Sequence, residues 1–256
     1  MKNLSELKLK DKKYIIFDMD GTLIDSIGIW NLTDQKIISQ YGGIDVQLDK
    51  IQRDRDSFLH NNLSSDIYLA YCEYLIGKYG LVIKNPEELV KIRWDISGEI
   101  LEKDMDFKPD VVELILKLKE LGFMLVLATM TTQVQLNIYS KKNKKMLEQM
   151  NIEEVFDSIT RKEDVINKKP HPEIYNKIVK YYNAKVEECL IFEDSYTGVL
   201  ASNRAGIEVV NIYDKYSDND RDKINKSTDY SISNYREFID YVNKLYNCKF
   251  KKKNKN

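Results

Sequence analysis

The 256-residue sequence predicts a doubly wound α/β domain with a mostly parallel sheet and an inserted all-helical domain. Short apolar runs, helical patterns between them, and one long interval without such a run support this prediction. The apolar runs cover residues 14–17, 123–128, 189–192 and 207–212. Runs without polar alternation indicate strands that are buried on both faces, as in a parallel sheet.

Helical patterns occupy the segments between the later runs. They cover residues 109–121, 172–182 and 196–205. Pro109 suits the first turn of the first helix, and Gly122 suits the position just past its end. Gly206 follows the third helix in the same way. Strands that alternate with helices are typical of a doubly wound sheet.

Residues 26–107 break the alternation. They contain helix-like stretches at about 26–40, 49–62, 66–79 and 86–104, and no convincing buried strand. We therefore expect a core formed by residues 1–25 and 108–247, a helical cap at 26–107, and a frayed basic tail at 248–256. Because the insertion follows the first strand, we expect it near the carboxyl ends of the strands, where open α/β sheets bind ligands, and we expect it to act as a lid.

Composition narrows the classes of function. Forty Lys+Arg balance 41 Asp+Glu, and the formal net charge of -1 gives no broad basic surface for nucleic acid. Only two histidines, His60 and His171, are present, so acid–base and metal chemistry falls mainly to carboxylates. The longest apolar run is far below the roughly 20 residues that cross a bilayer. With three scattered cysteines and no apolar leader, we expect a cytoplasmic protein, monomeric or weakly self-associating, without nucleic-acid or membrane partners.

Two carboxylates, Asp18 and Asp20, follow the first predicted strand and precede Gly21 and Thr22. At this point the chain must turn sharply and offer backbone N–H groups. Such a turn can cradle an anion while the carboxylates hold a hard divalent cation. An ordinary turn or helix cap is the alternative interpretation.

Polar residues also follow the second predicted strand and occupy a later loop. Thr129 ends the strand, where a hydroxyl can donate to a phosphoryl oxygen, whereas Thr131 and Thr132 equally suit a cap of the next helix. Lys168 and Lys169 precede a proline, which stiffens the loop and can fix a positive charge in place. A solvated surface loop is the alternative for the lysines.

Glu193 and Asp194 are adjacent carboxylates at the end of the third predicted strand. Acidic groups at a buried strand end are costly unless they are paired or bound to metal. A helix cap by Asp194 or Ser195 is the competing explanation.

The ordered set DxDGT, Thr, Lys-Pro and Glu-Asp resembles the four motifs of the haloacid dehalogenase superfamily phosphatases. The resemblance covers residues 12–242 and is most specific at 17–23 and 191–206. It implies a Rossmann-like core. The helical insertion resembles the cap of the subgroup that contains β-phosphoglucomutase and many small-metabolite phosphatases.

This resemblance implies a mechanism that starts from two aspartates. Asp18 would attack phosphorus and form an aspartyl-phosphate. Asp20 would protonate the leaving oxygen and then deprotonate the attacking water. Mg²⁺ would be held by Asp18, the Asp20 backbone carbonyl and Asp194, with Glu193 contributing directly or through water.

The same resemblance implies that Thr129 and Lys169 neutralise charge on the phosphoryl oxygens. Lys169 is preferred to Lys168 because the lysine of the family directly precedes the proline. Gly21 and Thr22 in the turn, and two arginines of the cap, are the candidates for substrate binding. Those arginines are Arg53 and Arg55.

We therefore expect a Mg²⁺-dependent phosphatase acting on a small phosphorylated metabolite. Asp20 favours phosphoryl transfer, because dehalogenases of this superfamily lack an acid there. A sugar-phosphate mutase is the alternative, since residues 53–57 resemble the cap segment with which mutases hold a second phosphate. The absence of a histidine from residues 26–31 weakens that alternative. A catalytically idle binding module ranks last, because every catalytic position is present.

Overall fold

A computed structural model of the chain describes residues 2–62, 64 and 66–246, with the backbone alone at 59–61. The predicted basic tail, residues 248–256, lies outside the described residues. The chain divides into two compact units. The first combines Met1–Asp25 with Asp106–Asn256, and the second is Ser26–Met105.

A six-stranded sheet forms the centre of the first unit. Its strands are β1 (Tyr14–Phe17), β2 (Met124–Ala128), β3 (Ser158–Thr160), β4 (Cys189–Glu193), β5 (Glu208–Ile212) and β6 (Tyr230–Ile232). Their order is β3-β2-β1-β4-β5-β6, and all five pairings are parallel. The predicted α/β fold with a doubly wound, mostly parallel sheet is confirmed.

The register of the sheet determines where the polar motifs emerge. In the central pairings, Phe17 of β1 lies opposite Leu127 of β2 and Phe192 of β4. The rings of Phe17 and Phe192 stack with centroids 4.7 Å apart, and both residues are fully buried. The residues that follow these strands therefore leave the sheet at one edge, side by side.

Four helices form the described part of the second unit. They are α1 (Ile29–Gly42), α2 (Leu48–Asn61), α3 (Ile67–Tyr79) and α4 (Pro86–Lys103). Within its described residues this unit has no strand. Pro86 starts α4 behind an Asn85 cap, where a missing backbone N–H costs nothing.

Eight further α-helices lie among the described residues of the first unit. They are α5 (Val111–Glu120), α6 (Gln133–Lys141), α7 (Lys144–Leu147), α8 (Ile152–Val155), α9 (Glu173–Tyr181), α10 (Tyr196–Ala205), α11 (Arg221–Ser227) and α12 (Tyr235–Tyr246). Gly206 ends α10 in the left-handed conformation expected of a terminal glycine. No helix among the described residues is long and apolar enough to cross a membrane. The expected monomeric or weakly associating state stays a prediction.

A buried ion pair stabilises the helical unit. Arg93 Nε of α4 donates to Asp34 Oδ1 of α1 at 2.9 Å, and the Tyr71 hydroxyl donates to the other oxygen at 2.9 Å. The guanidinium lies 5.1 Å from the ring of Trp30 and 4.9 Å from that of Tyr71. Burial raises the pKa of Asp34 even against the attraction of Arg93. Asp34 is fully buried, so its charge depends on this partner.

Replacing Arg93 with methionine should lower the free energy of unfolding of this unit by about 3–5 kcal/mol, because an unpaired carboxylate stays buried. The loss should shrink at mildly acidic pH. The folded-state pKa of Asp34 lies above its unfolded value, so protonation favours the folded variant as pH falls. Urea unfolding followed by tryptophan fluorescence isolates this unit, since both tryptophans, Trp30 and Trp94, belong to it.

Lys103→Met supplies the matched control. It breaks an exposed pair with Glu99, in which the charged atoms are 4.0 Å apart and both side chains are about two-thirds exposed. Such a pair contributes less than about 1 kcal/mol. Equal effects of the two substitutions would contradict the stabilising role of the buried pair.

Candidate active site

The turn after β1 is closed by its own backbone. Amides of Leu23 and Ile24 donate to the Met19 carbonyl at 2.8 and 3.0 Å, and the Gly21 amide donates to the Ile24 carbonyl at 2.8 Å. Gly21 has φ +81°, a conformation that favours glycine. The Asp18 amide continues the sheet by donating to the Phe192 carbonyl at 3.0 Å. The Asp18 side chain is thereby held beside the end of β4.

A single lysine joins the two strand ends. Lys169 Nζ lies 2.6 Å from Asp18 Oδ1 and 2.5 Å from Glu193 Oε1, and it donates to the Ala128 carbonyl at 3.1 Å. Although burial opposes it, the two carboxylates hold the pKa of Lys169 well above its usual value. The lysine is therefore a fixed positive charge inside the site.

Glu193 is held by donors on both carboxylate oxygens. Besides Lys169, the Tyr175 hydroxyl donates to Oε1 at 3.0 Å. Oε2 accepts from the Asp194 amide at 3.2 Å and from the Ser195 hydroxyl at 3.2 Å. The Asn211 side chain of β5 donates to the Glu193 carbonyl at 2.9 Å. This carboxylate fixes the start of the loop after β4 in addition to carrying charge.

Ser195 caps α10, which is one of the two helix caps that the sequence offers as a competing explanation. Its hydroxyl accepts from the Gly198 amide at 3.1 Å. Gly198 packs directly against the carboxylate of Glu193, because a Cβ built on it would lie 1.9 Å from Glu193 Cδ. Capping and charge placement therefore belong to the same loop.

Asp194 lies against the turn after β1. It accepts a hydrogen bond of 2.9 Å from the Thr22 hydroxyl and is 2% exposed. A Cβ on Gly21 would lie 2.4 Å from Asp194 Oδ2. Thr22 and Gly21, predicted as substrate-binding residues, are thus both next to the second carboxylate motif; contact with substrate stays a prediction.

Three carboxylates can converge on one cation here. Ligand oxygens of Asp18, Glu193 and Asp194 lie within 4.8 Å of one another. Burial raises the pKa of Asp18 to about 8, against the attraction of Lys169, and burial also raises the pKa of Asp194. The three buried acids are balanced by one positive charge, that of Lys169, which contacts only Asp18 and Glu193 among them. A hard divalent cation with oxygen ligands would restore the balance. This donor set fits the predicted Mg²⁺ ligands Asp18, Asp194 and Glu193, whereas the Asp20 side chain is not in the cluster.

The side chain of Asp20 contacts the end of β2 instead. Asp20 Oδ2 accepts a hydrogen bond from the Thr131 hydroxyl, and Thr129 Oγ1 donates to Thr131 Oγ1 at 2.9 Å. Thr132 is the residue that caps α6. Of the two threonines predicted as helix caps, Thr132 caps α6, whereas Thr131 contacts the predicted catalytic acid Asp20.

The predicted residues of the helical unit have different environments. Arg53 is exposed, whereas the Arg55 side chain is 14% exposed. Among the described residues, Arg55 Nη1 is buried without a hydrogen-bond partner, and Nε lies 3.9 Å from Asp56 Oδ1. A role of either arginine in substrate binding stays a prediction.

Two residues that hold Glu193 in place are not predicted from the sequence. Tyr175 belongs to the apolar core by its ring, and only its hydroxyl reaches Glu193. Asn211 lies inside the apolar run 207–212 and has no motif around it. A polar residue near the end of a buried strand was the available signal for Asn211.

The fold and the site define an α/β enzyme with carboxylates and a lysine at the carboxyl ends of its central strands. A sequence model of the haloacid dehalogenase-like hydrolase family matches residues 12–206. The chain belongs to this family of hydrolases, as its four motifs predict.

The chain is also similar to individual relatives and solved structures. A phosphorylated carbohydrates phosphatase of Thermotoga maritima is 28% identical over 195 residues, which are 76% of this chain and 82% of the relative. A phosphoglycolate phosphatase of Colwellia psychrerythraea is 25% identical over 210 residues, with coverage of 80% and 86%. A Thermotoga maritima structure assigned as a β-phosphoglucomutase superposes with a TM-score of 0.72 at 22% identity, covering 91% of this chain and 99% of that one. That likeness supports the fold.

Proposed function

We propose that this protein is a Mg²⁺-dependent phosphatase that hydrolyses a small phosphorylated metabolite. The observation that carries the proposal is the cluster of Asp18, Glu193 and Asp194 at the carboxyl ends of β1 and β4, with Lys169 bonded to the first two. The names of the relatives, which include a phosphatase of phosphorylated carbohydrates, support a sugar phosphate or a similar ester.

The chain's own residues divide the chemistry between them. In the first step an Asp18 oxygen bonds to phosphorus, the bond from phosphorus to the ester oxygen breaks, and Asp20 gives its proton to that oxygen. In the second step Asp20 removes a proton from water, the water oxygen bonds to phosphorus, and the bond to Asp18 breaks. Inorganic phosphate and the restored Asp18 carboxylate are the products.

Positive charge assists both steps. Lys169 and the Thr129 hydroxyl would stabilise charge on the phosphoryl oxygens, which is mainly an electrostatic contribution. Asp18, Asp194 and Glu193, with the Asp20 backbone carbonyl, would hold Mg²⁺, which when bound neutralises charge on the transferring group. Substrate choice is assigned to the predicted helical cap, residues 26–107, which we propose acts as the lid.

A phosphate-release screen over phosphorylated sugars and short acids tests the proposal. EDTA should abolish release and added Mg²⁺ should restore it. Asp194→Asn should raise the Mg²⁺ concentration for half-maximal activity at least about tenfold, because one charged oxygen ligand is lost. Asp229→Asn, on a surface pair with Lys2, is the control. Full activity in EDTA would contradict the metal dependence.

The mutase remains the second candidate because of Arg55. A buried guanidinium nitrogen without a partner among the described residues could receive an anionic group such as a second phosphate. Product analysis with β-glucose 1-phosphate and a bisphosphate primer distinguishes the two activities. Isomerised product would favour the mutase, and free phosphate alone the phosphatase. Mg²⁺-dependent turnover of either kind would exclude an idle binding module.

A further inference from the structure

Three polar side chains at the ends of β1 and β2 form a hydrogen-bonded chain. Thr129 Oγ1 donates to Thr131 Oγ1 at 2.9 Å, and Thr131 Oγ1 donates in turn to Asp20 Oδ2. The two threonines are 1% and 3% exposed. The hydroxyl of Tyr139 lies 3.5 Å from the other Asp20 oxygen. These hydrogen bonds connect Thr129, whose hydroxyl is proposed to face the phosphoryl group, with Asp20, the proposed proton-transfer group.

The direction of these hydrogen bonds follows from the donors available. Asp20 Oδ2 is the acceptor of its bond with Thr131, so the single hydroxyl proton of Thr131 is directed to Asp20. The Thr131 oxygen must then accept, and Thr129 provides the donor. The Thr131 amide donates to Thr129 Oγ1 at 3.0 Å, which orients that hydroxyl as well. Without substrate, both hydroxyls are therefore oriented by their neighbours. Donation from Thr129 to a phosphoryl oxygen would replace its bond to Thr131 and leave the bond from Thr131 to Asp20 in place.

We propose that Thr131 is a positioning residue for Asp20, which holds the carboxyl group in the orientation that proton transfer needs. This inference rests on the proposed function, because Asp20 transfers a proton only in that reaction. Helix capping does not require Thr131. The Thr132 side chain accepts from the Gln135 amide at 3.4 Å, and Gln135 Oε1 accepts from the Thr132 amide at 3.2 Å.

The two steps of the reaction depend on Asp20 to different degrees. Breaking the ester bond of an alkyl phosphate needs a proton on the leaving alkoxide, whereas p-nitrophenolate leaves without one. Hydrolysis of the phosphorylated enzyme needs Asp20 as a base whichever ester was used. A misoriented Asp20 should slow both steps with an alkyl ester, but only the second step with p-nitrophenyl phosphate.

Thr131→Val removes the hydroxyl and keeps the shape of the side chain. With p-nitrophenyl phosphate, rapid mixing should show a first turnover within about threefold of the wild type, followed by a steady state about 10–100-fold slower. With an alkyl phosphate that the wild type hydrolyses, the first turnover itself should slow by a similar factor while KM changes little. Thr131→Ser should recover both rates.

Ser140→Ala is the control, because it removes a different buried hydroxyl, which lies in the following helix α6 and is bonded to the Leu136 carbonyl at 2.8 Å. Normal turnover in Thr131→Val, or equal slowing of the first turnover with both esters, would overturn the inference. If Thr131→Val fails to fold, Thr131→Ala and the serine variant give the same comparison. A wild type that releases phosphate from no ester would overturn the proposed function, and the inference with it.

Discussion

Replacing Asp18 with asparagine should lower kcat by at least about 10⁴-fold, because the amide cannot form the phosphorylated intermediate. The change conserves shape and leaves an oxygen for Lys169 Nζ, which lies 2.6 Å from Asp18 Oδ1. The substitution also removes one of three crowded buried acids. Burial of Asp18 raises its pKa to about 8, so its charge is costly at this position. We therefore expect the melting temperature without divalent ions to stay equal or to rise.

Phosphate release and thermal unfolding, measured on the same preparation, check this expectation. Asp240→Asn is the matched control, since it makes the same change on the exposed side of α12 and should alter neither quantity. Retained turnover by Asp18→Asn would exclude Asp18 as the nucleophile. A large loss of stability would show instead that the carboxylate mainly holds the fold together.

The sequence predicted the centre of the sheet better than its edges. The four apolar runs correspond to β1, β2, β4 and β5, which are the interior strands. Both edge strands were missed, since β3 is Ser-Ile-Thr and β6 is Tyr-Ser-Ile. An edge strand of three residues does not need a continuous apolar run, so periodicity has little to detect there.

The site was predictable as far as strand ends determine it. Parallel strands bring their carboxyl ends to one edge, so Asp18 and Glu193 could be expected together from their positions after β1 and β4. Spacing could not show that Thr131 reaches Asp20 or that Tyr175 reaches Glu193. Such contacts depend on side-chain direction across the sheet, and this is a property of the packed structure.

Gly198 gives the second large expected effect. Gly198→Ala should lower the free energy of unfolding by about 3 kcal/mol or more and kcat by at least about 100-fold. The new methyl group would lie 1.9 Å from Glu193 Cδ, and Glu193 is 1% exposed and bonded on both oxygens. Because the carboxylate has no room to withdraw, it must break its contacts with Lys169 and with its own loop.

Gly98→Ala provides the comparison that isolates this contact. Gly98 also lies within a helix, α4, but among the described residues no neighbouring atom is within 4 Å of the point that a Cβ would occupy. There alanine should stabilise the protein by about 0.5–1 kcal/mol, since glycine is a weaker helix former. Urea unfolding of both variants separates helix propensity, which favours alanine at either site, from the steric effect at Gly198 alone.

A double-mutant cycle then identifies the group responsible. Glu193→Asp shortens the side chain by one methylene and withdraws the carboxylate from position 198. The destabilisation by Gly198→Ala should therefore be smaller in the Glu193→Asp protein than in the wild type, with a coupling of about 1 kcal/mol or more. Additive effects would mean that the alanine acts through the backbone of α10 rather than through Glu193. In that case the absence of a side chain at Gly198 would not be what allows the Glu193 carboxylate to keep its contacts with Lys169 and Tyr175.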